Sequence, residues 1–318
     1  MANENDKSGE ANKKTNEDYL KDFISQTPQP NTGPKLNFND IPEDKRSRTS
    51  DLNYFAFAAE ELPLGKFYPK GTRVLVRPAL VKEIQAYSMV EEKNPYDVIE
   101  KMNDMISACV RIKYMSDDVA SYLEVKDGDR FFLLFLIREL TFQKGNTLAA
   151  QETCDCGEHV NIELSRNNFT YHETESKIMK FYDDYKRKFI FPTKLGKVYE
   201  MGMPCIGLQK SFSEYILKEF KDKKAQNMAF LKIMPFLLSD RRNIAVEEIK
   251  NKLEEFQNLD ISEFQFLDSV ASKFKFGISG AKAKCTGCGM EVSTDNIFPS
   301  GAAGLFADDN GFDKFIQE

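Results

Sequence analysis

The sequence predicts an α+β fold, mostly helical with short β-hairpins, on three observations. Helical periodicity with its own start signals recurs at 94–110, at 127–140 and through most of 211–274. Strand-like alternation is confined to short runs beside Pro/Gly turns. Two cysteine pairs, "TCDCGE" (153–158) and "KCTGCGME" (284–291), each stand between alternating segments, with 128 residues separating the pairs.

Composition supports a folded chain. Of 318 residues, 41% are hydrophobic and 26 are Phe, which is ample for a core. The net charge of −6 argues against nucleic acid as a partner. The opening "MANENDKSGE" has no apolar h-region, and the longest apolar run, "FFLLFLI" (131–137), is far short of the roughly 20 residues a membrane span needs. The chain is therefore expected to be soluble and intracellular, without membrane contact. Six cysteines are too sparse for a disulfide scaffold.

Residues 1–50 are expected to form a disordered tail. Only ten of the fifty are hydrophobic, and Pro28, Pro30, Pro34 and Pro42 interrupt any helix. Within it, "NEDYLKDFIS" (16–25) sets Tyr19, Leu20, Phe23 and Ile24 on one helical face, either a fraying helix or a docking segment. Order is expected from about residue 54, opening an N-terminal strand-plus-helix domain (54–146). Its "RVLVRP" reads as a strand, and Asn94-Pro95-Tyr96-Asp97 reads as a helix start, with a cap, a first-position proline and an acid. Val98, Ile99, Met102, Met105, Ile106, Cys109 and Val110 then share a face, which makes Cys109 a core residue. Asp127–Leu140 should be the most buried helix of this half.

The segment 147–164 places Cys154 and Cys156 at the tip of one hairpin, and 281–297 places Cys285 and Cys288 at the tip of another. Between them, 165–280 is expected to form an inserted subdomain. It should contain two short helices after 165, a hairpin at 191–207 with Cys205 in structural use, and a helix opened by a Ser211-x-x-Glu214 capping box. Further helices follow at 227–238, kinked or ended by Pro235, at 246–256, and after an Asp260-x-x-Glu263 cap. Residues 298–318 form an aromatic-rich end, whose Phe306, Phe312 and Phe315 either anchor a partner or tuck onto their own domain.

Two cysteine hairpins facing each other make a zinc ribbon. Each supplies two thiolates, and Gly157 and Gly289 follow the second cysteine where the backbone must turn. The expectation is a split four-cysteine site for structural Zn²⁺, held by Cys154, Cys156, Cys285 and Cys288 and bracketing the insertion. His159, three residues after Cys156, remains an alternative to one thiolate. Closing so long a loop costs about 4–5 kcal/mol, against about 10–16 kcal/mol for structural zinc. Nothing argues for an enzyme. There are only two histidines, His159 and His172, no P-loop and no dinucleotide fingerprint, and acidic pairs such as Asp183/Asp184 read as solvated surface.

"ELPLGKFYPKGTRVLVRPALVKEIQAY" (61–87) resembles the opening of baseplate hub proteins from T-even-type, contractile-tailed bacteriophages (myoviruses), where a Leu-Pro…Tyr-Pro-x-Gly phrase precedes "V-x-(V/L)-RP" and an acidic helix start. "LLFLIREL", the two cysteine pairs and "NIFPSGAAGLFADD" continue the likeness in order, over about 54–307. The tail of residues 1–50 and the CxC spacing depart from that pattern. The resemblance implies a non-catalytic hub subunit or hub assembly factor, partnered by other tail and baseplate proteins. It would act in the host cytoplasm during assembly and either stay in the virion or leave it. The runner-up is a zinc-ribbon accessory factor for nucleic acid, with Lys273, Lys275, Lys282 and Lys284 as its basic stretch.

Overall fold

The computed structural model describes residues 46–49, 52–115, 119–142, 148–193, 196–220 and 229–307. The segment 16–25, Phe312 and Phe315 lie outside them. Among the described residues, no helix is long and apolar enough to cross a membrane.

The first half is a five-stranded antiparallel sheet in sequence order: β1 (Arg46–Thr49), β2 (Leu52–Ala58), β3 (Arg73–Val76), β4 (Val110–Lys113) and β5 (Val119–Ala120). Strand β1 falls within the stretch 1–50 and pairs with β2 in register Arg46↔Phe55 to Thr49↔Leu52. Composition reports side-chain burial. It says nothing about a sheet edge whose open N–H and C=O groups accept a polar segment.

Register puts Phe57, Val74 and Ile112 in one cross-strand row, all buried. Two helices join this face in one hydrophobic cluster: α2 (Pro95–Cys109) and α3 (Arg130–Thr141); α1 (Val81–Ser88) lies beside α2. Asn94 caps α2 by accepting a hydrogen bond from the Tyr96 amide at 3.1 Å. Val110, assigned to the helix by periodicity, instead starts β4, since the alternation of Val110 and Ile112 suits a half-buried strand. Helix α3 is buried from Arg130 to Ile137 and on to Arg138, which donates to the Leu305 carbonyl at 2.6 Å.

Next come β6 (Ala149–Thr153), β7 (His159–Glu163) and β8 (Phe169–Tyr171). The two short helices expected after 165 are replaced by β8, one helical turn (α4, Ser176–Met179) and β9 (Tyr182–Asp183). Strand β8 forms by pairing with β12 (Ile278–Lys284), a partner more than a hundred residues away that local periodicity does not reveal. Strands β10 (Lys188–Pro192) and β11 (Val198–Met201) form a hairpin that begins before the expected 191–207 and ends at Met201, which leaves Cys205 outside it, just before a helix.

Four helices follow: α5 (Ile206–Phe220), α6 (Ala229–Leu237), α7 (Val246–Gln257) and α8 (Ile261–Ala271). Two caps are corrected. Ser211 lies inside α5, its hydroxyl donating to the Gly207 carbonyl at 3.1 Å and accepting from the Ile244 amide at 3.3 Å. Asp260 does cap α8, but Glu263 is buried and takes Lys197 at 2.6 Å instead of closing a capping box. Pro235 falls in the last turn of α6. Strand β13 (Glu291–Thr294) and a return of the chain to α1 complete the fold, with Phe306 buried against the Tyr87 ring at 5.0 Å.

The core divides into two clusters. One joins the five-stranded sheet, α2, α3 and the cysteine hairpins. The other joins the β10–β11 hairpin to α5–α8, with the rings of Phe67, Tyr182, Phe189, Phe191, Phe274 and Phe276 in mutual contact. The phrase at 62–68 lies on the seam. Leu62 and Tyr68 belong to the first cluster, Leu64 and Phe67 to the second.

Candidate metal centre

The centre sits where the β6–β7 and β12–β13 tips meet. Alternation sends Ala150, Val160 and Ile162 into the core and leaves the tips at the surface. Strand β7 lies beside β12, and the Thr294 hydroxyl donates to Glu152 Oε1 at 2.7 Å, so the hairpins are braced below the sulfurs. Each tip closes by a backbone bond outside it, Cys154 N–H to Glu158 O at 2.9 Å and Cys285 N–H to Met290 O at 2.8 Å. The first tip is one residue shorter. Gly157 (φ 88°) and Gly289 (φ 75°) both adopt the left-handed conformation that glycine permits, so the turn after the second cysteine is alike in both.

The Sγ atoms of Cys154, Cys156, Cys285 and Cys288 all lie within 4.8 Å of one another. Cys154 Sγ is 3.5 Å from Cys288 Sγ, and Cys156 Sγ is 3.6 Å from Cys285 Sγ. A tetrahedral ion with metal–sulfur bonds of about 2.3 Å separates its sulfurs by about 3.8 Å, so the set fits one ion. Cys154 and Cys285 are buried, while Cys156 and Cys288 face outward. Backbone amides point at the sulfurs. Those of Cys288 and Gly287 help hold the Cys285 thiol down at about 7. At Cys154 the Cys156 amide pulls the same way, but desolvation and the Cys288 thiol prevail and raise it. Four neighbouring thiols cannot all ionise without a cation among them, which is the chemistry such a donor set offers.

His159 is not part of this group. It opens β7, exposed, with Nδ1 3.3 Å from Thr153 Oγ1. The remaining cysteines are packing residues. Burial pushes the Cys109 thiol up to about 12 and raises that of Cys205. Two lysines of the basic stretch are neutralised, Lys273 by Glu175 at 3.4 Å and Lys282 by Glu291 at 2.9 Å. Asp183 accepts from the amides of Tyr185 and Lys186 in a turn, a structural use.

Residues 59–298 match the family described as T4 bacteriophage base plate protein. The chain belongs to that family. No curated protein and no solved structure matches it.

In this base plate protein the phrase at 62–68 has a visible physical role. Asp129, fully buried, accepts the Leu64 amide and the Tyr68 hydroxyl, each at 2.9 Å, while Tyr68 Oη accepts the Lys126 amide at 2.8 Å. Burial pushes the Asp129 carboxyl up to about 7, and burial lowers Lys126, whose ammonium donates to the Met203 carbonyl. Gly128 packs against Leu64 and Phe276, and a Cβ there would lie 2.8 Å from Leu64 Cδ1, so Leu64 would have to shift. The phrase therefore builds the seam between the two clusters. Sequence reading missed Asp129 because its partners lie more than sixty residues upstream.

Proposed function

We propose that this base plate protein is a hub subunit or hub assembly factor. It acts without catalysis, through contacts with other tail and baseplate proteins, and its fold is closed by a structural zinc ion on Cys154, Cys156, Cys285 and Cys288. The family match over 59–298 carries the assembly role. For the metal, the supporting observation is the convergence of four sulfurs from hairpins 128 residues apart in sequence. Four thiolates would fill the coordination shell, leaving no open position for substrate, which is the pattern of a structural site. When bound, zinc supplies the positive charge that lets the thiols ionise together.

The organisation that follows is an N-terminal domain (54–146, joined by β1 and the start of β2 from Arg46), the two ribbon halves (147–164 and 281–297) and the insertion (165–280), with the ribbon tying both ends of the insertion to the first cluster. Phe306 is buried against Tyr87, so it does not serve as an anchor for a partner. Such a protein works in the host cytoplasm while tails assemble.

A null allele of its gene in the phage that encodes it tests the reading. Tail assembly should halt with base plates incomplete at the hub, and expression in trans should restore it. Complete base plates in the null would refute the role. Mass spectrometry of purified particles separates a resident subunit from a departing factor.

A further inference from the structure

The sulfur geometry carries something beyond metal binding. Sulfurs of different hairpins are in contact, Cys154 with Cys288 at 3.5 Å and Cys156 with Cys285 at 3.6 Å. Each such pair also joins an outward-facing cysteine, Cys288 or Cys156, to a buried one, Cys154 or Cys285. We propose that the cluster is an oxidative cross-linking site, in which Cys154–Cys288 and Cys156–Cys285 disulfides replace the ion and keep the two hairpins joined without metal.

The oxidant is a peroxide. At each exposed cysteine, the thiol sulfur takes one oxygen from hydrogen peroxide and becomes a sulfenic acid, releasing water. The buried thiol then attacks that sulfur, forming the S–S bond and displacing the oxygen as a second water. Two thiols lose two electrons per bridge, and one peroxide is reduced to two waters. If zinc is bound, it leaves as both bridges form. Each pair must close from about 3.5 Å to about 2.0 Å, between hairpins already braced by Thr294 and Glu152. Bridges inside a hairpin would tie only near neighbours. Bridges across the hairpins close the chain over more than a hundred residues, and so preserve the fold where reducing conditions end.

The inference rests on the sulfur arrangement and not on the identity of the ion. The test uses the full chain stripped with EDTA, then treated with two equivalents of hydrogen peroxide, alkylated and mapped without reduction. The peptide holding Cys154 and Cys156 should appear joined to that holding Cys285 and Cys288, in a monomeric chain. Bridges confined to either peptide, or sulfinic acids without bridges, overturn the proposal. Pairing is read from double variants. Cys156→Ser/Cys285→Ser should bridge faster than Cys154→Ser/Cys285→Ser, and equal rates overturn the pairing. Should these variants fail to fold, fragmentation of the joined wild-type peptides gives the same pairing. Metal content of the untreated chain is measured separately. Cross-links without native zinc would sink the zinc reading alone, and native zinc with bridges inside each hairpin would sink this one alone.

Discussion

The two clusters are assembled in different ways. The second draws nearly all its residues from one stretch, Ile178 to Phe276, and fills its centre with phenylalanine rings. The first combines Phe57–Phe169 with Ile278–Phe306, with Ile206 alone from between, so its parts meet only after a long loop has closed. The cysteine cluster lies in the first. A region whose pieces are near in sequence closes on apolar packing alone. One that must recruit a distant hairpin pays an added loop entropy of about 4–5 kcal/mol, and a clamp at the closure point offsets it.

The sharpest way to break this contrast is Cys285→Ser. Wild-type protein should carry about one zinc per chain and the variant almost none, because a structural ion worth about 10–16 kcal/mol loses a ligand. Limited proteolysis should then attack the first region while a core spanning 178–276 resists, with loss of solubility for the whole chain. Full metal content and unchanged stability in the variant would disprove the clamp.

The reciprocal change lies in the second cluster. Phe189 is fully buried among Phe67, Tyr182, Phe191 and Phe274. Phe189→Ala should cost about 3–5 kcal/mol in denaturant unfolding. Zinc should be retained, as judged by metal analysis of the soluble fraction. Parallel loss of zinc would mean that the two regions stand or fall together.

The seam offers an intermediate effect. Asp129 has its carboxyl raised from 3.8 to about 7, first by burial, with Asp127 adding to the rise and Lys126 opposing it. The native state therefore holds a proton that the unfolded chain releases near pH 4. The contribution of this group to stability is fully present below that and is lost as pH rises toward about 7, by up to about 1.4 kcal/mol per unit. Asp129→Asn keeps an oxygen for the Leu64 amide and should flatten the slope of melting temperature between pH 4 and 7. An unchanged slope would remove Asp129 as its source.

The smallest effect compares the two knuckles. Nothing lies within 4 Å of a Cβ built on Gly157 or Gly289, so Gly→Ala meets only the backbone cost of positive φ, about 1 kcal/mol. The two alanine variants should lose equal stability by thermal unfolding. A larger loss at Gly157 would show that the shorter CxC tip is the more strained.

Legibility followed the range of each signal. The Asn94-Pro95 start of α2, the buried run of α3 and both cysteine hairpins were readable because cap, period and turn chemistry act within a few residues. Strand β8 and the pairing of Arg46–Thr49 were not, since a strand exists only with its partner. Ser211 and Glu263 matched a local capping pattern but serve distant groups, Ile244 and Lys197, that hold them more firmly.

By itself, the sequence determined that two glycine-terminated cysteine turns exist, each able to present a pair of thiols, because that geometry depends on bonds inside the turn. Only the tertiary structure decided that the four sulfurs face one another and that the 62–68 phrase spans two cores around Asp129. The physical reason is that contacts between residues far apart in the chain are set by the packing of everything between them, which no short stretch of sequence encodes.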